Sequence, residues 1–145
     1  MKICTFFGES DAIKDIRYDL KQALIDLIEN KGVAFFLVGN ENDFDKMVRA
    51  ELKLFSEVYR HIMYTVLVCD TPDTKFDPED INDLNFYPLY GMTKEKIFTP
   101  DERNKWMINK SRYVITYVTK TEGYAHKYKS FAEKKKKIII ELCNK

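Results

Sequence analysis

Three short turns hold the residues of this chain that are best suited to bind a small molecule. They are Gly8-Glu9-Ser10, the segment Gly39 to Asp45 and the segment Thr119 to Tyr124. Each turn follows an apolar run and precedes a stretch with helical spacing, so each is predicted to join a strand to the N-terminus of a helix. Helix N-termini present N–H groups and the positive end of the helix dipole, which suit phosphate or carboxylate ligands. The glycines would let the backbone approach such a ligand closely.

The elements around these turns predict an α/β protein. The run Val33 to Val38, closed by Gly39, is typical of a strand that is buried on both faces in a parallel sheet. Strands and helices alternate with short loops, which predicts right-handed crossovers and a single Rossmann-like three-layer sandwich with a mostly parallel sheet. The other predicted strands are Ile3 to Phe7, His61 to Cys69, Tyr113 to Val118 and Ile138 to Leu142. The predicted helices are Asp11 to Asn30, Phe44 to Tyr59, a short one from Thr99 and one from about Tyr124 to Lys136. Carboxyl ends of parallel strands share one edge, where such sheets bind ligands.

Local signals mark where several elements begin and end. Thr99-Pro100-Asp101-Glu102 predicts a capped helix start with Pro in the first turn. Ser10 or Asp11 is predicted to cap the first helix, and Gly32 to end it in a left-handed conformation. The segment Asp70 to Lys96 is predicted to be a long irregular loop, functional or mobile, with a short strand near Phe86 to Leu89.

Composition limits the class of protein. The chain has 145 residues and a formal net charge of +1, so it is predicted to be one domain over residues 1–145, with no global charge that favours nucleic acid or a membrane. Its three cysteines lie far apart, which favours buried reduced thiols over a metal site. The N-terminal apolar run is too short for a signal peptide and no run reaches membrane-spanning length. We therefore expect a cytoplasmic protein without a metal.

Four segments, taken together, resemble one protein superfamily. They are FFGES at Phe6 to Ser10, FFLVGNENDFDKMV at Phe35 to Val48, RNKWMI at Arg103 to Ile108 and the segment Tyr113 to Leu142. In order and spacing they resemble the SLOG superfamily, the Rossmann-like group that contains YpsA-like proteins, the Smf/DprA core and LOG proteins. Within this group the chain resembles the YpsA-like branch. The resemblance covers nearly the whole chain.

The resemblance implies a domain that binds or senses a nucleotide or a nucleotide-derived molecule such as ADP-ribose. Because the catalytic Glu motif of LOG enzymes is not matched in this chain, we expect binding without catalysis. It implies that Gly39, Asn40 and Asp45 line the pocket, that Arg103 and Asn104 reach it from the opposite side, and that Gly123 shapes the last turn. The full set of expected ligand-binding residues is Gly8, Glu9, Ser10, Gly39, Asn40, Asn42, Asp45, Arg103, Asn104, Thr121, Gly123 and Tyr124.

The chain departs from the family pattern at three turns. Asn42 stands where the family has Gly, and we expect it to take the left-handed conformation that Asn tolerates. Tyr124 adds a side chain after Gly123 where phosphate would approach, and Glu9 replaces a residue that is usually His. Glu9, Glu41 and Asp43 are expected to raise the negative potential at the mouth of the pocket.

Two other functions stay open at this point. A LOG-like nucleoside-monophosphate N-glycosidase would need paired carboxylates, for which Glu9 and Asp45 are candidates, but the family's catalytic Glu is not matched after Gly123. A Smf/DprA-like chain would bind single-stranded nucleic acid, with the basic run Lys134 to Lys137 and nearby aromatic residues as candidates. LOG proteins often dimerise, so the resemblance also allows a homodimer.

Overall fold

The alternating apolar runs and helical stretches form the predicted elements. The computed structural model describes residues 2–10, 13–68, 86–88 and 99–143. The strands are β1 (Ile3–Gly8), β2 (Phe35–Val38), β3 (Met63–Val68), β4 (Phe86–Pro88), β5 (Tyr113–Tyr117) and β6 (Ile138–Glu141). The helices are α1 (Ile13–Glu29), α2 (Asp43–Val58), α3 (Pro100–Lys110) and α4 (Tyr124–Lys134). Each end for which a bound was predicted lies within two residues of that bound.

The strands form one sheet in the order β4-β3-β2-β1-β5-β6, and every neighbouring pair is parallel. The chain builds outward from β1 to β4 on one side and then returns to β5 on the other side of β1. The order of the strands therefore reverses between β1 and β5, and open α/β sheets bind ligands at the carboxyl ends of the strands at such a point. The predicted α/β sandwich is confirmed.

Two hydrophobic cores lie on the two faces of this sheet. Successive strand side chains point to opposite faces, so Phe6 packs in the core with α1 and α2 while Phe7 packs in the core with α3 and α4. The first core buries Leu24 of α1 and Leu52 of α2, and the second buries Met107 of α3. Three layers result, with two helices on each face of the sheet in the described part of the chain.

Several local predictions are confirmed. Gly32 follows α1 with a φ of 71°, in the left-handed region. Thr99 caps α3, because its Oγ1 accepts a hydrogen bond of 3.1 Å from the Glu102 N–H. The short β4 pairs with β3 at the edge of the sheet, where the missing N–H of Pro88 is tolerated.

Other predictions are wrong or lie outside the described residues. Cys4 is buried, and burial raises the pKa of its thiol far above the usual range, but Cys143 is exposed, contrary to the expectation that every thiol is buried. Its position after the end of β6 leaves it beyond the sheet. Cys69, the Asp11 cap and the 70–96 loop, apart from β4, lie outside the described residues. In the ranges that are described, no helix is both long and apolar enough to cross a membrane.

Candidate functional site

The ends of β1 and β5 are tied together by Glu9. Its carboxylate accepts hydrogen bonds from the N–H and hydroxyl of Thr119, the latter at 2.8 Å, and from the Lys120 N–H at 3.3 Å. Its own N–H donates to the Tyr117 carbonyl at 3.0 Å. Glu9 therefore holds the turn after β5 against the end of β1, which is a positioning role that the sequence did not predict. Ser10 follows as an exposed residue.

Gly8 is required by packing against α2. A Cβ on Gly8 would lie 2.6 Å from ring carbons of Phe44, the second residue of α2. The Gly8 carbonyl also accepts a hydrogen bond of 2.9 Å from the side-chain amide of Asn42. The Phe44 ring thus fills the space that a side chain at residue 8 would take. Packing against α2 is enough to explain why this residue is glycine, without a ligand that approaches the backbone.

Asn42 shapes the turn in a different way from the one expected. Its φ is −147°, which is extended backbone, so the prediction of a left-handed residue is wrong. Asn42 is instead the N-cap of α2, and its Oδ1 accepts a hydrogen bond of 3.1 Å from the Asp45 N–H. An Asn at an N-cap satisfies one of the N–H groups that a helix start leaves open. The side chain of Asn42 therefore stabilises the start of α2.

Arg103 is buried against the turn after β2. The residue is 1% exposed, and its Nη1 donates to Asn40 Oδ1 at 2.7 Å while its Nη2 pairs with Glu41 Oε2 at 3.0 Å. A Cβ on Gly39 would lie 3.2 Å from Arg103 Cζ, so the glycine leaves room for the guanidinium. Glu41, which was expected to act through its negative charge, is thus the ion-pair partner of Arg103.

Asn104 connects Arg103 to the start of α4. It is fully buried, its Oδ1 accepts from Arg103 Nε at 3.0 Å, and its Nδ2 donates to the Tyr124 hydroxyl at 3.2 Å. Burial, followed by the negative charge of Asp45, raises the pKa of Tyr124 well above its usual value. We call Asn40, Glu41, Arg103, Asn104 and Tyr124 the Arg103 cluster. It joins the β2–α2 turn, α3 and α4 in one hydrogen-bonded network.

Asp45 is a buried carboxyl beside this cluster. It is 1% exposed, and its Oδ2 accepts a hydrogen bond of 2.8 Å from the Glu41 N–H. Burial raises the pKa of Asp45 to about 6, against the opposing effects of that N–H and of the Arg103 and Arg49 charges. The carboxyl therefore changes charge near neutral pH and holds the turn through its backbone contact.

The turn before α4 is the open part of the site. Gly123 is the N-cap of α4 with a φ of 101°, a conformation that favours glycine, and a Cβ there would meet no atom within 4 Å. It offers no side-chain cap to α4, and Thr121 beside it is exposed. The N-terminus of α4 therefore faces space that an anionic group can occupy.

The structure brings most of the predicted site residues to the carboxyl edge of the sheet, but several of them make contacts within the protein in place of the ligand contacts that were predicted. Gly8, Gly39 and Asn42 serve packing and capping, while Glu9 and Asp45 accept hydrogen bonds from backbone N–H groups. The groups suited to touch a ligand are the Asn40 amide, the Tyr124 hydroxyl and the start of α4. Among residues 2–10, 13–68, 86–88 and 99–143, no group of three His, Cys, Asp or Glu side chains is placed to hold a metal ion.

Sequence reasoning missed Asp101 and Tyr128, which lie next to the cluster. The Tyr128 hydroxyl donates to Asp101 Oδ1 at 2.6 Å, and Lys105 and Lys127 each approach that carboxylate at 3.1 Å. The Tyr128 bond, followed by those from the lysines, lowers the pKa of Asp101 to about 2. The one signal in the sequence was the position of Asp101 in the first turn of α3, where a negative charge interacts favourably with the helix dipole.

Comparison with known protein families and with curated proteins finds no significant match to this chain.

Proposed function

We propose that this chain binds a nucleotide or a nucleotide-derived molecule at the carboxyl edge of its sheet, without a catalytic step. The observation that carries the proposal is the Arg103 cluster. Burying a guanidinium is costly unless its partners are in place, and here Asn40, Glu41 and Asn104 all bond to it. The cluster fixes polar groups of three elements at the edge where open α/β sheets bind ligands.

The cluster leaves suitable groups for the ligand. Arg103 donates to Asn40 Oδ1, so the NH2 end of Asn40 is oriented as a donor for a base or a ribose. The Tyr124 hydroxyl accepts from Asn104, so its own proton is available for donation. The start of α4 behind Gly123 suits a phosphate. The site therefore offers hydrogen-bond donors for the base or the ribose and a helix N-terminus for the phosphate, which together match a nucleotide.

The hydrogen bonds already made by the candidate catalytic carboxylates favour binding without catalysis. Glycoside cleavage needs an acid and a base or nucleophile placed on the substrate. Glu9 accepts hydrogen bonds from the turn after β5, and Asp45 accepts one from the Glu41 N–H, so both have structural tasks. The resemblance to YpsA-like SLOG proteins supports the same ligand class.

A thermal-shift screen tests this proposal directly. AMP, ATP, ADP-ribose and NAD are each added to the purified chain, and a ligand present at 100 times its dissociation constant should stabilise the fold by about 2.7 kcal/mol. For a chain of this size that corresponds to a rise in melting temperature of roughly 5–10 °C. No rise with any member of the panel would contradict the proposal.

Two isosteric variants locate the binding site. Asn40→Asp keeps the oxygen that accepts from Arg103 but replaces the NH2 donor with a charged oxygen, so binding should fall at least tenfold. Glu41→Gln keeps an oxygen for Arg103 and removes a negative charge, so an anionic ligand should bind a few-fold more tightly. Asn109→Asp, on an exposed residue outside the carboxyl edge, is the matched control and should leave binding unchanged.

The same incubations decide between binding and hydrolysis. Chromatography of each nucleotide after incubation should show no free base above the protein-free sample. Release of base that disappears in Asn40→Asp would replace the binding proposal with a glycosidase. Equal loss of binding in Asn40→Asp and Asn109→Asp would place the ligand elsewhere or show a general effect of charge.

A further inference from the structure

The strand β6 is the last strand on one side of the sheet, and part of its backbone points away from the other strands. The Ile138 N–H donates to the Arg112 carbonyl at 3.0 Å, on the side of β5. Alternate residues of a strand bond to the same neighbour, so the N–H and C=O groups of Ile139 and Glu141 point to the outer side. In the described part of the chain no strand pairs with that outer side. These groups can therefore bond to one more strand.

The side chains of β6 are mostly apolar and partly exposed. Ile138 is 44% exposed, and Ile139 and Ile140 are half-buried. An exposed apolar edge strand is a template for pairing with another chain, and proteins often protect such a strand with proline. β4, the last strand on the other side of the sheet, carries Pro88, whereas β6 carries no proline. Of these two strands, β6 is therefore the better suited to take an added strand.

A basic cleft lies where β6 begins. It has a volume of about 430 Å³ and is formed where α3 ends and β5 begins, beside the turn from α4 to β6. This is the amino edge of the sheet, opposite to the candidate site. No Asp or Glu is among the described residues that line the cleft, although the net charge of the chain is only +1. The charged residues of its lining are Lys110, Arg112, Lys135, Lys136 and Lys137.

The backbone at the basic cleft is strained at a lysine. Lys136 has a φ of 59°, and it is the only residue other than glycine in the described chain with a positive φ. Its N–H donates to the Glu133 carbonyl at 3.0 Å, at the end of α4 where glycine is the usual residue. The helix dipole explains lysines at the end of α4. It does not explain a lysine in the conformation that favours glycine.

We propose that the outer side of β6 binds an extended segment of a partner protein, in which aliphatic residues are followed by an acidic C-terminal end. Added strands gain affinity from main-chain hydrogen bonds, and their side chains give specificity. Antiparallel pairing is slightly more stable per residue than parallel pairing, and it brings the carboxyl end of the segment to the start of β6. The carboxylates then meet the basic cleft, while the aliphatic side chains lie beside the three isoleucines. The Arg103 cluster takes no part, so the proposal does not depend on the function proposed above.

Fluorescence anisotropy tests the proposal with a labelled peptide of about nine residues, in which alternating valine and threonine precede a run of glutamates. The peptide should bind the unaltered chain saturably, and more weakly as salt is added. Arg112→Gln/Lys136→Gln removes two exposed charges of the basic cleft and should weaken binding about three- to tenfold at 0.1 M salt. Lys46→Gln/Lys53→Gln removes the same charge from exposed positions of α2 and should leave binding nearly unchanged.

Two N-methylated forms of the peptide test the strand pairing without altering the protein. Each is methylated at alternate backbone nitrogens of the aliphatic part, so the two forms share their side chains and their charge. The form whose methyl groups face β6 should bind at least about tenfold more weakly, because its donors are blocked and its methyl groups hold the strands apart. The form whose methyl groups face away should bind nearly as well as the parent peptide. Equal binding by the two forms would overturn the proposal.

Cys143 reports the direction of the added strand, because it is exposed and lies just after the end of β6. A peptide with an N-terminal cysteine, activated as a mixed disulfide, should label Cys143 by thiol–disulfide exchange. The same cysteine at the acidic end should not label Cys143, and Cys143→Ser should abolish the labelling. Labelling of Cys143 by the wrong end would overturn the proposal, as would lack of saturable binding or equal competition by a glutamate oligomer. A dimer of the chain that the peptide dissociates would assign β6 to a second copy instead.

Discussion

Replacing the buried carboxyl of Asp45 by an amide should change how the stability of the fold depends on pH. Burial raises the pKa of Asp45 from the ordinary 3.8 to about 6, so the folded chain binds a proton that the unfolded chain has already lost between these values. Asp45 therefore contributes stability that is complete below pH 3.8 and is lost as the pH rises through 6. At about 1.4 kcal/mol per pH unit, the loss is roughly 3 kcal/mol.

Asp45→Asn does not titrate, so it should escape this loss. Urea unfolding of both proteins from pH 3.5 to 7.5 should show the variant gaining roughly 3 kcal/mol relative to the unaltered chain as the pH rises. The absolute difference also includes any cost of the new NH2 group, but that cost does not vary with pH. Asp43→Asn, on an exposed neighbour in the first turn of α2, is measured alongside as the control for removing a carboxylate from this helix start. A constant difference for Asp45→Asn across the range would mean that Arg103 and Arg49 keep the carboxyl charged in the folded state.

Three further substitutions test the packing and the turns by denaturant unfolding. Gly8→Ala should lower the free energy of unfolding by about 1–3 kcal/mol, because the new Cβ would lie 2.6 Å from the Phe44 ring. No change in stability would mean that α2 can shift away from β1 at little cost. Glu51→Met should raise the free energy of unfolding by about 1 kcal/mol, because Glu51 is 1% exposed and its Oε1 has no hydrogen-bond partner in the described chain. Arg17 Nε lies 3.5 Å from that oxygen, so a large loss of stability would show that this ion pair outweighs the cost of burying the carboxylate. Lys136→Gly should raise the free energy of unfolding by up to about 1 kcal/mol, because glycine adopts a φ of 59° without strain. A decrease would show that the lysine side chain stabilises the turn.

The sequence predicted the elements of the fold because their signals are local. Apolar runs bounded by glycine define the strands, and helical spacing defines the helices whatever they pack against. The caps behave in the same way. Thr99 and Gly32 act through residues a few positions away, so their roles in the structure follow from the neighbouring sequence.

The partners in the candidate site could not be predicted in this way. The Glu41–Arg103 ion pair joins residues 62 positions apart, and it depends on how α3 docks on the turn after β2. The expectation for Asn42 was wrong because a glycine position in a family was assumed to need a left-handed backbone, whereas an N-cap uses extended backbone. Glu9 was expected to act through its charge, but its nearest contacts are N–H and hydroxyl donors that only the folded sheet brings to it.

The binding of a nucleotide at the carboxyl edge is tested most directly by mapping it on the protein. Two-dimensional 15N NMR spectra would be recorded while the nucleotide with the largest thermal shift is titrated into the chain. We expect the signals that move to include the side-chain NH2 of Asn40 and the backbone N–H groups of Gly123 and Tyr124, while those of Arg112 and Lys136 stay in place. Unchanged spectra with every member of the panel, or movement confined to the opposite edge, would contradict the proposal.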